Sequence, residues 1–114
     1  MRAFKRIDRV NKEMLRVIST AIQLEVQDPR VTDVVVVAVR VSADLSVANV
    51  YIDRISGDLD EAIAGLNAAK GFLRSKVANS MRLKRIPKLR FFKDEITQQL
   101  NRIQTLLDEI EDHD

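Results

Sequence analysis

The sequence of residues 58–83 is DLDEAIAGLNAAKGFLRSKVANSMRL, and its apolar side chains recur every three or four residues. That period is typical of an amphipathic helix. The apolar positions form two stripes, the first ending at Ala69 and the second beginning at Leu73. Gly71 lies between the stripes, and a glycine inside a helix costs about 1 kcal/mol relative to alanine. The segment therefore predicts two consecutive helices that meet at a kink, Ala69-Lys70-Gly71.

The second of these helices lies within a long stretch of positive charge that no acidic residue compensates. Residues 62–93 contain nine Lys or Arg and no Asp or Glu, although the whole chain is nearly balanced, with 19 basic and 17 acidic residues. Such a concentrated positive field favours a polyanionic partner, above all nucleic acid. The alternative is an ordinary solvated helix face. The candidate RNA-binding residues are Lys70, Gly71, Arg74, Lys76, Arg82, Lys84, Arg85 and Lys88.

A helix and two strands are predicted before this pair. Residues 6–27 have helical apolar spacing, and Asp28-Pro29 should end that helix because proline pushes the preceding residue out of the α region. Residues 31–41 are rich in valine and predict a strand that is apolar on both faces, as expected of a central strand. After a turn at 43–46, a second strand at 47–53 should complete an antiparallel hairpin.

A strand and a helix are predicted after the pair. Pro87 closes the helical region, and residues 89–93 predict a strand with Leu89 and Phe91 facing the core. Residues 95–111 predict a last helix. Its apolar side chains in register are Ile96, Leu100, Ile103, Leu106, Leu107 and Ile110. The predicted order is α-β-β-α-α-β-α, an α+β fold with a three-stranded sheet.

Local signals mark the start of the first paired helix. Asp58 followed by Glu61 resembles a capping box, in which the two acidic side chains satisfy free amide groups. Asp60 also suits the start of a helix, where acids are favoured by the helix dipole. These carboxylates are therefore better explained by helix capping than by acid–base catalysis.

Length and composition restrict the class of protein. With 114 residues, 46% of them hydrophobic, the chain is expected to fold as one domain spanning residues 1–114. It has no cysteine, which excludes disulfides, thiolate metal sites and cysteine nucleophiles and suits a reducing compartment. We find neither a secretory signal nor an apolar run of about 20 residues. A cytoplasmic protein without membrane contact is expected.

Patterns typical of enzymes are nearly absent. His113, the only histidine, is one residue from the C-terminus, where a frayed polar end explains it better than a metal ligand or general base. The sequence contains no nucleophile elbow, metalloprotease motif, phosphate-binding loop or dinucleotide fingerprint. We therefore expect no catalytic site, no metal and no cofactor.

The predicted element order and the basic helix pair suggest an RNA-binding module of the KH kind. In such modules a GxxG loop joins the two helices and clamps the nucleic-acid backbone. The three glycines here, Gly57, Gly65 and Gly71, form no GxxG. We therefore expect recognition of RNA backbone and shape rather than of an unstacked tetranucleotide. With one tyrosine and four phenylalanines, the sequence gives little support for a base-stacking platform.

Five stretches make the resemblance to a known family specific. They are DPRV (28–31), VSADLSVANVYI (41–52), AKGFLRSKVA (69–78), MRLKRIPKLRFFKD (81–94) and NRIQTLLDEI (101–110). In this order and spacing the chain resembles the bacterial ribosome-binding factor A family of small-subunit assembly factors. The resemblance implies a type II KH-like fold in which an Ala-x-Gly kink, here Ala69-Lys70-Gly71, replaces the GxxG loop.

The resemblance has one departure near the C-terminus. After its third strand the family tends to show Asp-x-Ser, then Gly shortly before Arg-Ile. This chain keeps Asp94 and Arg102-Ile103, but Ile96 and Leu100 stand at the Ser and Gly positions. The last segment is therefore expected to be more regularly helical here.

What the resemblance implies is a monomeric factor that binds the immature small (30S) ribosomal subunit and its 16S rRNA. Such a factor assists late maturation and rRNA processing, also in cold adaptation. The residues alone argue only for an RNA-binding domain that prefers double-stranded or structured RNA. Arg6 and Arg9 are candidates to extend its basic surface, although Arg9 fits a solvent-exposed helix position equally well. The alternatives are a small α/β module that binds an acidic protein, and an enzyme acting through the acidic C-terminal tail.

Overall fold

The computed structural model describes the backbone of residues 2–112 and the side chains of residues 6–95 and 102–110. His113 lies outside the described residues. The elements are α1 (Arg2–Leu24), a 3₁₀ turn (Pro29–Val31), β1 (Val34–Val41), β2 (Val47–Arg54), α2 (Leu59–Ala68), α3 (Lys70–Ser80), β3 (Lys88–Lys93) and α4 (Glu95–Asp112). The predicted α+β class and the order α-β-β-α-α-β-α are confirmed.

The sheet has the strand order β1-β2-β3, so β2 is its central strand. The hairpin prediction is confirmed, because β1 and β2 pair antiparallel, and β3 then adds to β2 in parallel. The prediction that the valine-rich strand is central was wrong: β1 is an edge strand. Its Val35 and Val37 are 42% and 38% exposed.

A β-bulge explains why the valines of β1 suggested burial on both faces. The register passes from Val36 opposite Ile52 to Ala38 opposite Tyr51, which leaves Val37 as the extra residue. An extra residue shifts the alternation of faces by one position. Val36 and Val39 are therefore both buried on the same side of the sheet, although their numbers differ in parity.

The boundary between α1 and β1 also differs from the prediction. The helix ends at Leu24, three residues before the predicted end. Asp28 does not end α1 but begins the 3₁₀ turn, in which its carboxylate accepts a hydrogen bond from the amide of Arg30 at 2.9 Å. Because Pro29 suits the first position of such a turn, the sequence 28–31 folds as an element of its own. Val31, predicted to begin the strand, is buried in that turn.

The hydrophobic core lies between one face of the sheet and the helices α1, α2 and α3. On β2 the residues Ala48, Val50 and Ile52 are fully buried, and the predicted inward residues Leu89 and Phe91 are buried on β3. The other principal core side chains are Met14, Ile18, Val39, Leu66, Leu73 and Val77. Alternate residues of the strands face the opposite side of the sheet, which no helix of the core covers.

Arg54, at the end of β2, connects three segments and was not anticipated from the sequence. Its guanidinium donates hydrogen bonds to the carbonyl oxygens of Thr32 (2.9 Å), Asp58 (2.7 Å) and Pro29 (3.2 Å). A Cβ atom at Gly57, where φ is +111°, would lie 2.5 Å from the Arg54 Cζ atom. Glycine is needed there both for the backbone conformation and for the close approach of the guanidinium.

Helix α4 contributes no side chain to the core among the residues described. Its Ile103, Leu106, Leu107 and Ile110 are between 49% and 64% exposed. The side chains of Ile96 and Leu100, which belong to the same predicted apolar stripe, lie outside the described residues. The helix is continuous from Glu95 to Asp112, which confirms the helix predicted over residues 95–111. Within residues 2–112 no helix is both long and apolar enough to span a bilayer.

Candidate nucleic-acid interface

The break between α2 and α3 falls at Ala69, the residue that ends one helix and begins the next. Its backbone has φ −91° and ψ 4°, and its amide donates to the carbonyls of Gly65 and Leu66, both at 3.1 Å. Its own carbonyl accepts from the amide of Leu73 at 3.0 Å. The chain therefore changes direction without leaving the polar backbone groups of Ala69 unpaired.

The capping box predicted at the start of α2 forms only in part. The Asp58 carboxylate accepts hydrogen bonds from the amides of Asp60 (2.6 Å) and Glu61 (3.3 Å). The carboxylate of Glu61 lies 3.9 Å from the guanidinium of Arg54. The N-cap half of the capping box is thus present, and Glu61 interacts with Arg54.

Gly71 lies in the first turn of α3, one residue beyond the first residue of the helix. Apart from Gly71 itself, its two chain neighbours and the backbone of its own helix, no heavy atom lies within 4 Å of the position that a Cβ atom would occupy there. The absence of a side chain therefore leaves open surface at the beginning of α3, where a ligand can approach the backbone closely.

The predicted cationic side chains lie on α3 and on the α3–β3 loop (residues 81–87) that follows it. Lys70 and Arg74 are exposed on α3, Arg82, Lys84 and Arg85 are exposed in the loop, and Lys88 is exposed at the start of β3. Among the described residues none of these six side chains forms an ion pair with a carboxylate within 4 Å. These six residues are called the basic patch below.

Arg74 fixes the loop against the helix. Its Nε and Nη2 atoms donate to the carbonyl oxygens of Pro87 (3.3 Å) and Ile86 (2.9 Å). An arginine has five N–H donors, so these two bonds leave donor capacity on an exposed side chain. Arg74 thus holds the loop and its cations beside α3.

Lys76 is placed differently from the other predicted residues. Its ammonium group lies 2.6 Å from the carboxylate of Glu25 after α1, and 5.5 Å from the centre of the Phe72 ring. A phosphate would have to compete with Glu25 for this charge. The structure therefore sets Lys76 apart from the six unpaired cations of the basic patch.

A groove of about 190 Å³ runs between α3 and the loop. It is lined by Gly71, Arg74, Ser75, Ala78 and Ile86. Ser75 and Ala78 were not predicted as site residues, although their spacing from Gly71 and Arg74 places all four on one face of a helix. The small side chains along this face let a ligand approach α3 next to the cations.

The loop also lies against the tip of the β1–β2 hairpin. The amide of Lys88 donates to the carbonyl of Ser46 at 3.0 Å. Within that tip the Asp44 carboxylate accepts hydrogen bonds from the Ser46 and Ser42 hydroxyls and from the Ser46 amide, which lower its pKa to about 2. The charge of Arg85 lowers the pKa of Asp44 further as a minor cause. Asp44 is therefore an acid close to the patch, and it is engaged within its own turn.

No group of three or more His, Cys, Asp or Glu side chains within the described ranges is arranged to hold a metal ion.

Comparison with known proteins places the chain in a family. A family profile described as ribosome-binding factor A matches residues 6–107. The chain belongs to the ribosome-binding factor A family. The ribosome-binding factor A of Chromohalobacter salexigens is 41% identical, over 96% of this chain and 86% of that protein. That of Halorhodospira halophila is 40% identical, over 94% and 87%.

Solved structures of ribosome-binding factor A share the fold. The crystal structure of the Thermus thermophilus protein has a TM-score of 0.71 at 30% identity, covering 76% of this chain and 94% of that one. A second match is a homology model of Thermus thermophilus ribosome-binding factor A as fitted into a cryo-electron-microscopy map of its complex with the 30S subunit. That match has a TM-score of 0.62 at 32% identity and covers 72% of this chain and 88% of the other.

Proposed function

We propose that this protein binds the immature small (30S) ribosomal subunit through 16S rRNA and assists late maturation and processing of that rRNA, also in cold adaptation. It acts in the cytoplasm as a single-domain monomer, and it is a binding factor rather than an enzyme. Membership of the ribosome-binding factor A family supports this function. The placement of the Thermus thermophilus relative in a 30S complex supports the same partner.

The observation that carries the proposal is the exposed basic patch. Among the described residues its six cations form no ion pair with a carboxylate within 4 Å, and one of them, Arg74, lines a groove whose wall includes the side-chain-free position Gly71. Lysine and arginine side chains neutralise phosphates without reading base sequence. The patch therefore suits the backbone of structured rRNA, whose shape positions several phosphates at once.

Charge reversal within the loop tests this proposal. We expect the double substitution Arg82→Glu and Arg85→Glu to abolish co-sedimentation with immature 30S subunits, because two attractive contacts become repulsive ones. Circular dichroism should show an unchanged fold, since both side chains are exposed. The matched control is Lys12→Glu with Arg16→Glu, which reverses two exposed charges on α1 and should leave co-sedimentation intact.

Two results would contradict the proposal. If the Arg82/Arg85 variant still co-sediments like the unmodified protein, the basic patch does not bind the subunit. If an acidic polypeptide binds more tightly than naked 16S rRNA and 30S subunits in gel-shift assays, the partner is an acidic protein instead.

A further inference from the structure

The sheet face that points away from the helices carries two rows of side chains across all three strands. The strand register places Arg40 opposite Asn49, and Asn49 opposite Arg90. In the next row Tyr51 lies between Ala38 and Phe92. These six residues are called the open sheet face below: Ala38, Arg40, Asn49, Tyr51, Arg90 and Phe92.

The aromatic row forms an exposed stacking surface. The rings of Tyr51 and Phe92 are stacked, with centroids 5.7 Å apart and planes inclined by 29°, and Phe92 is 41% exposed. The small Ala38 leaves space beside them, and a groove of about 620 Å³ runs over the two rings. A volume of this size lies within the range of about 300–1,000 Å³ that is usual for small-ligand sites.

Two buried acceptor atoms at this face have no hydrogen-bond partner within the described part of the chain. They are Oδ1 of Asn49 and Oδ2 of Asp94. Asp94 is only 6% exposed and lines the groove over the rings. Buried acceptors are normally paired because an unpaired one costs free energy. Of the two, Asp94 lines the groove, so its Oδ2 atom can accept a hydrogen bond from an N–H donor of a ligand bound there.

The charges along the groove are polarised. Arg40 and Arg90 are exposed in one row, and the acids Asp94 and Glu95 line the groove at its other end. Lys93 also lines the groove, but its ammonium group is paired with Asp60 at 2.8 Å. An occupant with phosphates at one end and donor groups at the other therefore fits the face.

The cationic end of this face continues the basic patch. Lys88 precedes Arg90 by two residues on β3, so their side chains point to the same side of the sheet. Lys88 also lies directly after the α3–β3 loop that carries Arg82, Lys84 and Arg85. Residues 82–90 contain no acid, so a nucleic-acid strand bound to the patch can follow this segment onto the open sheet face.

We propose that the open sheet face binds an unpaired segment of RNA, with a base stacked on Tyr51 and Phe92 and phosphates at Arg40 and Arg90. Aromatic side chains on a sheet bind single-stranded bases in this way because every base has a π face. The base edge would supply the N–H donors that Asp94 lacks. This inference rests on the proposed function for its RNA partner, and it adds single-stranded recognition to the backbone recognition by the basic patch.

Tyrosine fluorescence of the full-length protein tests the proposal directly. Tyr51 is the only tyrosine and the chain has no tryptophan, so its emission reports on this face alone. A single-stranded RNA of about ten nucleotides, within the usual range of such sites, should quench the emission on binding. A blunt duplex of the same sequence should bind the basic patch, as seen by anisotropy of a labelled strand, and leave the emission unchanged.

Substitutions at the two rings give an independent measurement. We expect Tyr51→Leu with Phe92→Leu to weaken single-strand binding by about tenfold, the usual effect of losing base stacking, and to leave duplex binding unchanged. Tyr51→Phe is the matched control: it keeps the ring and should retain the affinity for the single strand. The quenching of the unmodified protein needs no variant, so the test holds even if the double variant folds poorly.

The proposal would be overturned if saturating single-stranded RNA left Tyr51 emission unchanged, or if the duplex quenched it equally. Quenching by polyglutamate, or by raising the protein concentration alone, would assign the face to an acidic peptide or a second copy instead. Co-sedimentation with 30S subunits is scored separately with the Arg82/Arg85 variant. Loss of stacking therefore does not count against subunit binding, and failure to bind subunits does not count against stacking.

Discussion

Asp44 shows how a single side chain organises the hairpin tip that supports the α3–β3 loop. Its Oδ1 atom accepts from the hydroxyls of Ser42 (2.9 Å) and Ser46 (2.7 Å) and from the Ser46 amide (3.1 Å). Leu45 adopts a left-handed conformation, with φ 60°, which is costly for a residue other than glycine. The hydrogen bonds of Asp44 therefore hold a strained turn in place.

We predict that protonation of Asp44 destabilises the protein at low pH. Its pKa is lowered from about 3.8 to about 2 in the folded state, so its stabilising contribution is present above about pH 4 and lost as the pH falls towards 2. Replacing Ser42 and Ser46 by alanine should raise the pKa of Asp44 towards its ordinary value, as measured by NMR titration. Ser80→Ala, at a serine far from this turn in the sequence, should leave it unchanged. An Asp44 pKa that stays low in the double variant would show that the serines are not its cause.

At the scale of elements, two glycines of the helix pair have opposite surroundings. A Cβ atom at Gly65 in α2 would lie 2.8 Å from Cγ1 of Val31 and 3.1 Å from Cβ of Arg30. The helix therefore packs directly on the 3₁₀ turn at a position where only glycine fits. A Cβ atom at Gly71 in α3 would meet nothing within 4 Å.

We predict opposite effects of the same substitution at these two positions. Gly65→Ala should lower the free energy of unfolding by about 1–3 kcal/mol, because the added methyl group forces α2 away from the buried Val31. Gly71→Ala should raise it by up to about 1 kcal/mol, because alanine favours the helix and meets no obstacle. Urea unfolding of both variants measures the difference. Equal destabilisation would show that Gly71 is required by the fold itself.

The elements also show which features the sequence could predict. Helical and strand periodicity identified the four α-helices and the three strands, although the 3₁₀ turn at Pro29–Val31 was missed. The edge position of β1 could not be predicted, because valine content does not reveal which neighbours a strand has. In addition, the bulge at Val37 shifts the alternation of buried and exposed side chains by one residue. The exposure of Ile103 and Leu107 on α4 was likewise hidden, because an apolar stripe shows that a helix is amphipathic and not what it contacts.

The candidate site likewise has features that the sequence could predict and features that it could not. The basic segment was predictable because charge can be counted along the chain. The pairing of Lys76 with Glu25 was not, because it depends on how α3 packs against the end of α1. The rows of the open sheet face require the register of three strands, and alternation within one strand could not bring Arg40, Asn49 and Arg90 together.

At the scale of the whole molecule, positive charge is concentrated while net charge stays small. The formal net charge is only +2, because 17 acids offset 19 bases, and 14 of those acids lie in the segments 28–61 and 94–114 on either side of the basic stretch. Long-range attraction to a polyanion is therefore weak, and binding depends on the local contacts of the basic patch.

Salt dependence measures how many of these contacts form. If about four to six phosphates are engaged, log affinity for structured RNA should fall with log salt at a slope of roughly −3 to −5. Lys84→Gln with Arg85→Gln should make the slope shallower by about 2, because two phosphates lose their partners. Lys76→Gln, the control, should leave the slope unchanged, because Glu25 already pairs with that ammonium group. A slope near zero, or an equal change in all variants, would mean that the cations of α3 and its loop are solvated charges and do not bind phosphate.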